Sequence, residues 1–321
     1  MTVYSPLASP KATIDCLTRW GIGTRKSLGQ HFLIDDGVVG RILRLADLSP
    51  DELVLEVGPG IGTLTEALLR AGARVVAIEK DERLVPVLTD LSARYPARFT
   101  LINADALDVA SGTKGGTSGG TGQKGDTCPV PPEPSSFCSA PPPTSLVANL
   151  PYAVAATIVL SYFEYLLTLK SATVMVQKEV AARMAAEPGS KDYGAYTVKL
   201  RLLAQAQASF AVSRTSFLPP PRVDSTVIRL VRHAEQPSAS QLALAFMVIE
   251  AAFAERRKTI RNSMRSYFAT HALDPLLVDA LLATAGIPPT CRGEALGVSE
   301  YQALAAAARH FGLMPESRRE R

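Results

Sequence analysis

Leu53-Val54-Leu55-Glu56-Val57-Gly58-Pro59-Gly60-Ile61-Gly62-Thr63-Leu64-Thr65 reads as a buried strand, a glycine turn and the opening of a helix. Leu53–Val57 is apolar except for Glu56, as a strand covered on both faces requires. Gly58, Gly60 and Gly62 alternate with other residues, so the turn is predicted to use positive φ and to offer bare backbone to a ligand. Leu64, Ala67, Leu68 and Ala71 follow at helical spacing, and Gly72 stands where a helix ends. Strand, turn and helix make the first βα unit of a doubly wound α/β sheet.

The turn also selects a ligand. A dinucleotide fingerprint, G-x-G-x-x-G, would put its third glycine at position 63, which is Thr63. The third glycine is Gly62, and Glu56 precedes the first by two residues, where an acid would repel a pyrophosphate. E-x-G-x-G-x-G is the pattern of methyltransferases that use S-adenosyl-L-methionine, whose ammonium and sulfonium centres suit acidic surroundings. A glycine turn that merely packs helix on strand is the competing reading. Glu79, ending the second strand, is placed to accept both ribose hydroxyls of an adenosine ligand. Asp105, after the third strand, suits an adenine amino group or a helix N-cap, and the two roles are compatible.

Around this unit the 321 residues are long enough for a large α/β domain and a small second one. Net charge is 34 − 30 = +4, which permits a nucleic-acid partner without requiring it. Cys16, Cys128, Cys138 and Cys291 have neither metal-ligand spacing nor the density of a disulfide framework; the expectation is reduced thiols, no metal and a cytoplasmic location. Leu146–Leu169 is as long as a membrane span, but Asn149-Leu150-Pro151-Tyr152 and Glu164 fit a strand, a break and a helix better, so no membrane association is expected.

In chain order, residues 1–26 read as a loosely patterned arm and 27–236 as the methyltransferase domain. Helices are expected at about 36–46, 81–95 (bent by Pro86) and 153–168, with strands at 74–78, 99–102, 145–148 and 172–177. Residues 111–145 hold seven Gly and seven Pro in 35 positions and read as a disordered insertion. A closing hairpin contributes one antiparallel strand. Residues 237–321 are helical throughout, with helices predicted at 241–264, 275–285 and 299–311, forming a small all-α domain.

Asn149-Leu150-Pro151-Tyr152, at the tip of the fourth strand, suits chemistry on an adenine amine. That nitrogen is a poor nucleophile because its lone pair is delocalised into the ring. The Asn149 side-chain oxygen and the Leu150 carbonyl, freed by Pro151, can hold its hydrogens and favour a more tetrahedral nitrogen. Tyr152 offers a face for the base, and Phe217 could close the other side. Packing alone is the competing role for each ring.

These residues resemble the ribosomal RNA adenine dimethyltransferases over roughly 26–110 and 146–307. The matching stretches are Ser27-Leu28-Gly29-Gln30-His31-Phe32-Leu33, Glu56–Gly62, Asn149–Tyr152 and Phe217–Ser225. The resemblance implies a Rossmann-like fold and cofactor contacts from His31, Leu33, Gly58, Gly60, Glu79, Asp105 and Asn149. It places Asn149, Leu150, Pro151, Tyr152 and Phe217 around the target base. The family often has Asn where His31 stands. Among its branches, Arg256-Arg257-Lys258-Thr259-Ile260-Arg261-Asn262-Ser263-Met264-Arg265 is similar to the one dimethylating two adjacent adenosines of small-subunit rRNA, as a monomer on a pre-ribosomal particle; the other branch acts on large-subunit rRNA. This run has five basic residues and no acid, and Arg257, Arg261 and Arg265 would form one helical row facing RNA phosphates, or a solvated face.

Overall fold

The structure, a computed structural model, describes residues 3–23, 30–111 and 142–314. Ser27-Leu28-Gly29, Cys128, Cys138 and most of the 111–145 insertion lie outside the described residues. The chain divides into two compact units, Met1–Ala181 with Ala206–Arg232, and Ala182–Gln205 with His233–Arg321.

The first unit begins with α1 (Pro10–Arg19), where the sequence had suggested only a loose arm. Ser9 caps it, accepting from Ala12 N, and Pro10 sits in the first turn, where its missing N–H costs nothing. Next come β1 (Phe32–Leu33), α2 (Asp36–Ala46), β2 (Leu53–Val57), α3 (Thr63–Arg70) and β3 (Arg74–Glu79). They are followed by α4 (Val85–Arg94), β4 (Phe99–Asn103), α5 (Ala106–Ser111), β5 (Ser145–Asn149), α6 (Ala155–Tyr165), β6 (Ser171–Gln177) and α7 (Lys178–Met184). Pro86 does not bend α4: it occupies the helix's first turn, and a short 3₁₀ turn over Glu82–Leu84 precedes it.

After α8 (Ala195–Leu203), β7 (Ala204–Val212), β8 (Phe217–Leu218) and β9 (Ser225–Arg232) complete the strands. The large sheet has seven strands in the order β4-β3-β2-β5-β6-β9-β7. Pairing is parallel from β4 to β6, and β9 runs antiparallel to β6. This is the Rossmann-like methyltransferase architecture, and β2, its centre, is buried at all five positions. A separate two-stranded ribbon pairs Phe32 with Leu218 and Leu33 with Phe217.

The second unit is helical: α9 (Ala239–Phe253), α10 (Ile260–Thr270), α11 (Leu277–Thr284) and α12 (Val298–His310) join α8. A capping box of Ser238 and Gln241 starts α9. The single helix predicted over 241–264 is instead two, separated by a turn at residues 254–259. Thr259 caps the second, accepting from Asn262 N. Among the described residues, no helix is long and apolar enough to cross a membrane.

Candidate active site

The glycine turn adopts the expected backbone, with φ of +69° at Gly58, +63° at Gly60 and +88° at Gly62. A Cβ on Gly60 would stand 3.3 Å from the Phe32 ring. The turn therefore lies close against β1, and the two form one wall of a cavity of about 310 Å³, within the range of small-ligand sites.

The cavity sits at the carboxyl ends of β2, β3 and β5, where doubly wound sheets place their ligands. His31, Leu33, Gly58, Gly60, Glu79, Asp105, Asn149, Leu150, Pro151 and Tyr152 all line it, so ten residues singled out in five distant stretches meet in one place. Phe217 does not. Its side chain is 2% exposed, belongs to the core, and its strand β8 holds β1 in register. The role of second wall for a base is not what this geometry gives it.

Three carboxylates meet the expected ligand chemistry in different ways. Glu79 accepts from Asp81 N at 2.8 Å and Gly60 N at 3.4 Å, and burial raises its pKa. Asp105 binds Lys80 Nζ at 2.7 Å and caps α5 through Leu107 N at 2.9 Å, so the capping role is present. Glu56 departs from expectation. It is 1% exposed, accepts from Thr65 Oγ1 at 2.6 Å, and burial pushes its pKa up to about 8, with nearby Glu79 adding to the rise. At neutral pH it is mostly protonated, so its carboxyl is not the fixed negative charge that the sequence argument assigned to it. Asp81, which sequence reasoning passed over, also lines the cavity. It accepts from Gln30 Nε2 at 2.7 Å, and the hydrogen bond from Arg83 holds its pKa below the usual carboxylate range.

His31 ties the other wall together. Its Nδ1 donates to the Pro219 carbonyl at 2.8 Å, since a carbonyl can only accept. Its backbone oxygen accepts from Asn149 Nδ2 at 3.2 Å, and its ring stacks on Tyr152 with centroids 5.7 Å apart. Tyr152 Oη is 2.6 Å from Ser225 Oγ. With Nδ2 so engaged, the amide oxygen of Asn149 is the end left for a substrate. Leu150 N donates to the Met175 carbonyl at 3.1 Å, which seats the tetrapeptide just beyond the last pair of β5.

The basic run in the second unit differs from its prediction. Arg257 and Lys258 fall in the turn before α10, so the three-arginine row does not form. Arg261 Nη2 donates to Asp279 at 2.8 Å, and Arg265 shares that carboxylate. Arg256 meets Glu294 at 3.3 Å and the Lys191 carbonyl at 2.6 Å. The acids absent from the run arrive from elsewhere in the fold. Arg257 and Lys258 are exposed and have no acidic partner among the described residues.

The family model described as ribosomal RNA adenine dimethylase matches residues 22–285. The chain is 37% identical over 306 residues to the ribosomal RNA small subunit methyltransferase A of Geobacillus kaustophilus, covering 95% of this chain and 98% of that one. It is 39% identical over 289 residues to the protein of the same name from Thermobifida fusca, covering 89% and 90%. Among solved structures, a dimethyladenosine transferase from Plasmodium falciparum shares the fold, with a TM-score of 0.67 at 20% identity over 89% of this chain and all of that one. The 23S rRNA methyltransferase ErmE has a TM-score of 0.56 at 28% identity over 86% and 98%. A family match over most of the length and relatives at this identity lead to one conclusion: the chain belongs to the ribosomal RNA adenine dimethylase family of methyltransferases.

Proposed function

We propose that this protein transfers methyl groups from S-adenosyl-L-methionine to the exocyclic amines of two adjacent adenosines near the 3′ end of small-subunit rRNA, on a pre-ribosomal particle. The observation that carries the reading is the meeting of Glu79 and Asp105 with Asn149-Leu150-Pro151-Tyr152 around one cavity. The small-subunit assignment draws support from the names of the relatives that match 95% and 89% of the chain.

The residues fit such a donor. Glu79 accepts from ribose hydroxyls, and Asp105 faces the adenine amine. When bound, the donor supplies a methyl group activated by its sulfonium. The protein's own part is orientation. Asn149 Oδ1 and the Leu150 carbonyl accept from the target amine and favour a pyramidal nitrogen. The Tyr152 ring, fixed by Ser225 and His31, stacks on the base; such contacts contribute about 1–3 kcal/mol, comparable with the cost of extruding a base. Arg257 and Lys258 are the exposed cations of the basic run best able to meet phosphate, while Arg256, Arg261 and Arg265 would have to share themselves between RNA and their carboxylates.

The test is incubation of the protein with labelled S-adenosyl-L-methionine and small subunits that lack the modification, followed by mapping of the methylated positions. Label on two adjacent adenosines near the 3′ end is the expected result. Label confined to other positions of the small-subunit rRNA, or none, overturns the reading.

A further inference from the structure

Asp81 stands two residues past the end of β3 and makes more hydrogen bonds than its local position needs. One oxygen, Oδ1, accepts from Arg83 N at 3.2 Å and caps the 3₁₀ turn over Glu82–Leu84. A cap of that kind works equally well at the surface, yet Asp81 is 8% exposed, and burying a carboxylate is costly unless it is paired. Arg83 supplies the pairing, with Nε 2.9 Å from Oδ1 and Nη2 on Oδ2. The turn asks nothing more of the side chain. Oδ2 nevertheless also accepts from Gln30 Nε2 at 2.7 Å, from a residue 51 positions earlier in the chain.

These bonds lie on a continuous path along the cavity. At one end Asp81 N donates to Glu79 Oε1 at 2.8 Å, which fixes the carboxylate assigned to the ribose. At the other, Gln30 precedes His31, whose carbonyl accepts from Asn149 Nδ2 at 3.2 Å. That last bond decides which end of the Asn149 amide remains for a substrate: with Nδ2 on a carbonyl, Oδ1 is the acceptor left over. Gln30, His31, Glu79, Asp81 and Asn149 all line the same space. The strand that follows His31, β1, lies outside the large sheet and pairs with β8 over two residues. His31 is therefore anchored by its own bond to the Pro219 carbonyl and, through its neighbour Gln30, by Asp81.

We propose that Asp81 is a positioning residue for methyl transfer: through Gln30 it fixes the His31 carbonyl, and that carbonyl holds the Asn149 amide in its productive orientation. The inference rests on the function proposed above and adds to it a residue that acts through others rather than on the reacting atoms. The path needs a hydrogen bond between positions 81 and 30, not a charge at position 81. Asp81 thereby ties the strand end that meets the donor to the tetrapeptide that meets the base.

The experiment is single-turnover methyl transfer to small subunits lacking the modification, with affinity for S-adenosyl-L-methionine measured separately by calorimetry. The proteins are the wild type, Asp81→Ala, Gln30→Ala, the double alanine variant and Asp81→Asn. Each alanine variant should transfer about 10- to 100-fold more slowly, the loss expected when a reacting group is misplaced by up to about an ångström, while donor affinity stays within about threefold. The double variant should lose no more than the slower single one, because both substitutions remove the same link. Asp81→Asn should recover most of the rate, since an Asn–Gln pair keeps a hydrogen bond in either amide orientation. A wild-type rate in Gln30→Ala, losses that multiply in the double variant, a matching loss of donor affinity, or an Asp81→Asn as slow as Asp81→Ala each overturn the inference and leave the proposed function standing. Should Asp81→Ala not fold, a slow Gln30→Ala beside a fast Asp81→Asn still supports the inference, and any other pairing overturns it. If the wild type itself transfers no methyl group, the proposed function falls and takes this inference with it.

Discussion

Glu56 is a carboxyl that burial keeps protonated, with a pKa of about 8, until a positive charge enters beside it. A bound sulfonium lowers that pKa, so binding below pH 8 expels a proton. The bound state then carries fewer protons than the free one, and affinity must rise with pH toward about 8 and level off above it. At pH 7, calorimetry in buffers of different ionisation heat should reveal proton release with S-adenosyl-L-methionine and less with its uncharged-sulfur product. Stability follows the opposite sign. Because the folded-state pKa is raised above its ordinary value of 4.5, the folded state binds more protons between the two values, and stability falls as pH climbs from 4.5 to 8. Glu56→Gln should flatten that fall in denaturant titrations. On the proposed mechanism, Asn149→Ala removes the acceptor that holds the reacting amine, together with the Nδ2 hydrogen bond to the His31 carbonyl. Its turnover should drop by about 100-fold or more while RNA affinity stays near wild type, read by single-turnover transfer and filter binding. Residue chemistry of this kind was only partly legible beforehand. The alternation of glycines and Asn149–Tyr152 announced themselves by residue type and spacing. The protonation of Glu56 and the turning of Phe217 into the core depend on what surrounds them, which no local pattern records.

At the scale of elements, the apolar periods carried β2, α3, β3, β5 and β6 to within about a residue, because strands buried on both faces leave an unbroken hydrophobic run. Helix α1 went unread although Ser9-Pro10 is a start signal, since only Thr13 and Leu17 of its ten residues are buried and the apolar stripe is thin. The turn at 254–259 was hidden because an alanine-rich and arginine-rich segment without Gly or Pro keeps helical propensity throughout; Thr259, a capping residue, was the one clue. The glycine turn tests the opposite case, where sequence and geometry agree. A Cβ on Gly62 would have a positive φ of +88° and stand 2.7 Å from Leu91 Cδ2. Gly62→Ala should therefore cost about 1–3 kcal/mol in denaturant unfolding.

For the whole molecule, the contact with RNA is a matter of how many cations are free to release counterions. Arg257 and Lys258 have no acidic partner among the described residues, whereas Arg261 and Arg265 divide Asp279 between them. The double variant Arg257→Gln/Lys258→Gln should flatten the salt dependence of RNA binding by about one to two units of log–log slope and leave thermal stability unchanged. Arg261→Gln should move the slope less and the stability more, because it unbalances Asp279. A slope unaltered in the double variant would remove this turn from the RNA-facing surface.

The sheet also joins stretches of chain that sequence keeps far apart. Strand β5 pairs with β2 on one side and β6 on the other, and the Tyr162 hydroxyl on α6 donates to the Ala106 carbonyl at 3.0 Å. Described residues on the two sides of 112–141 are thus joined by strand pairing and a hydrogen bond of their own. Two separately expressed polypeptides, divided within 112–141, should reassemble on mixing into an active heterodimer, recoverable by a tag on either half.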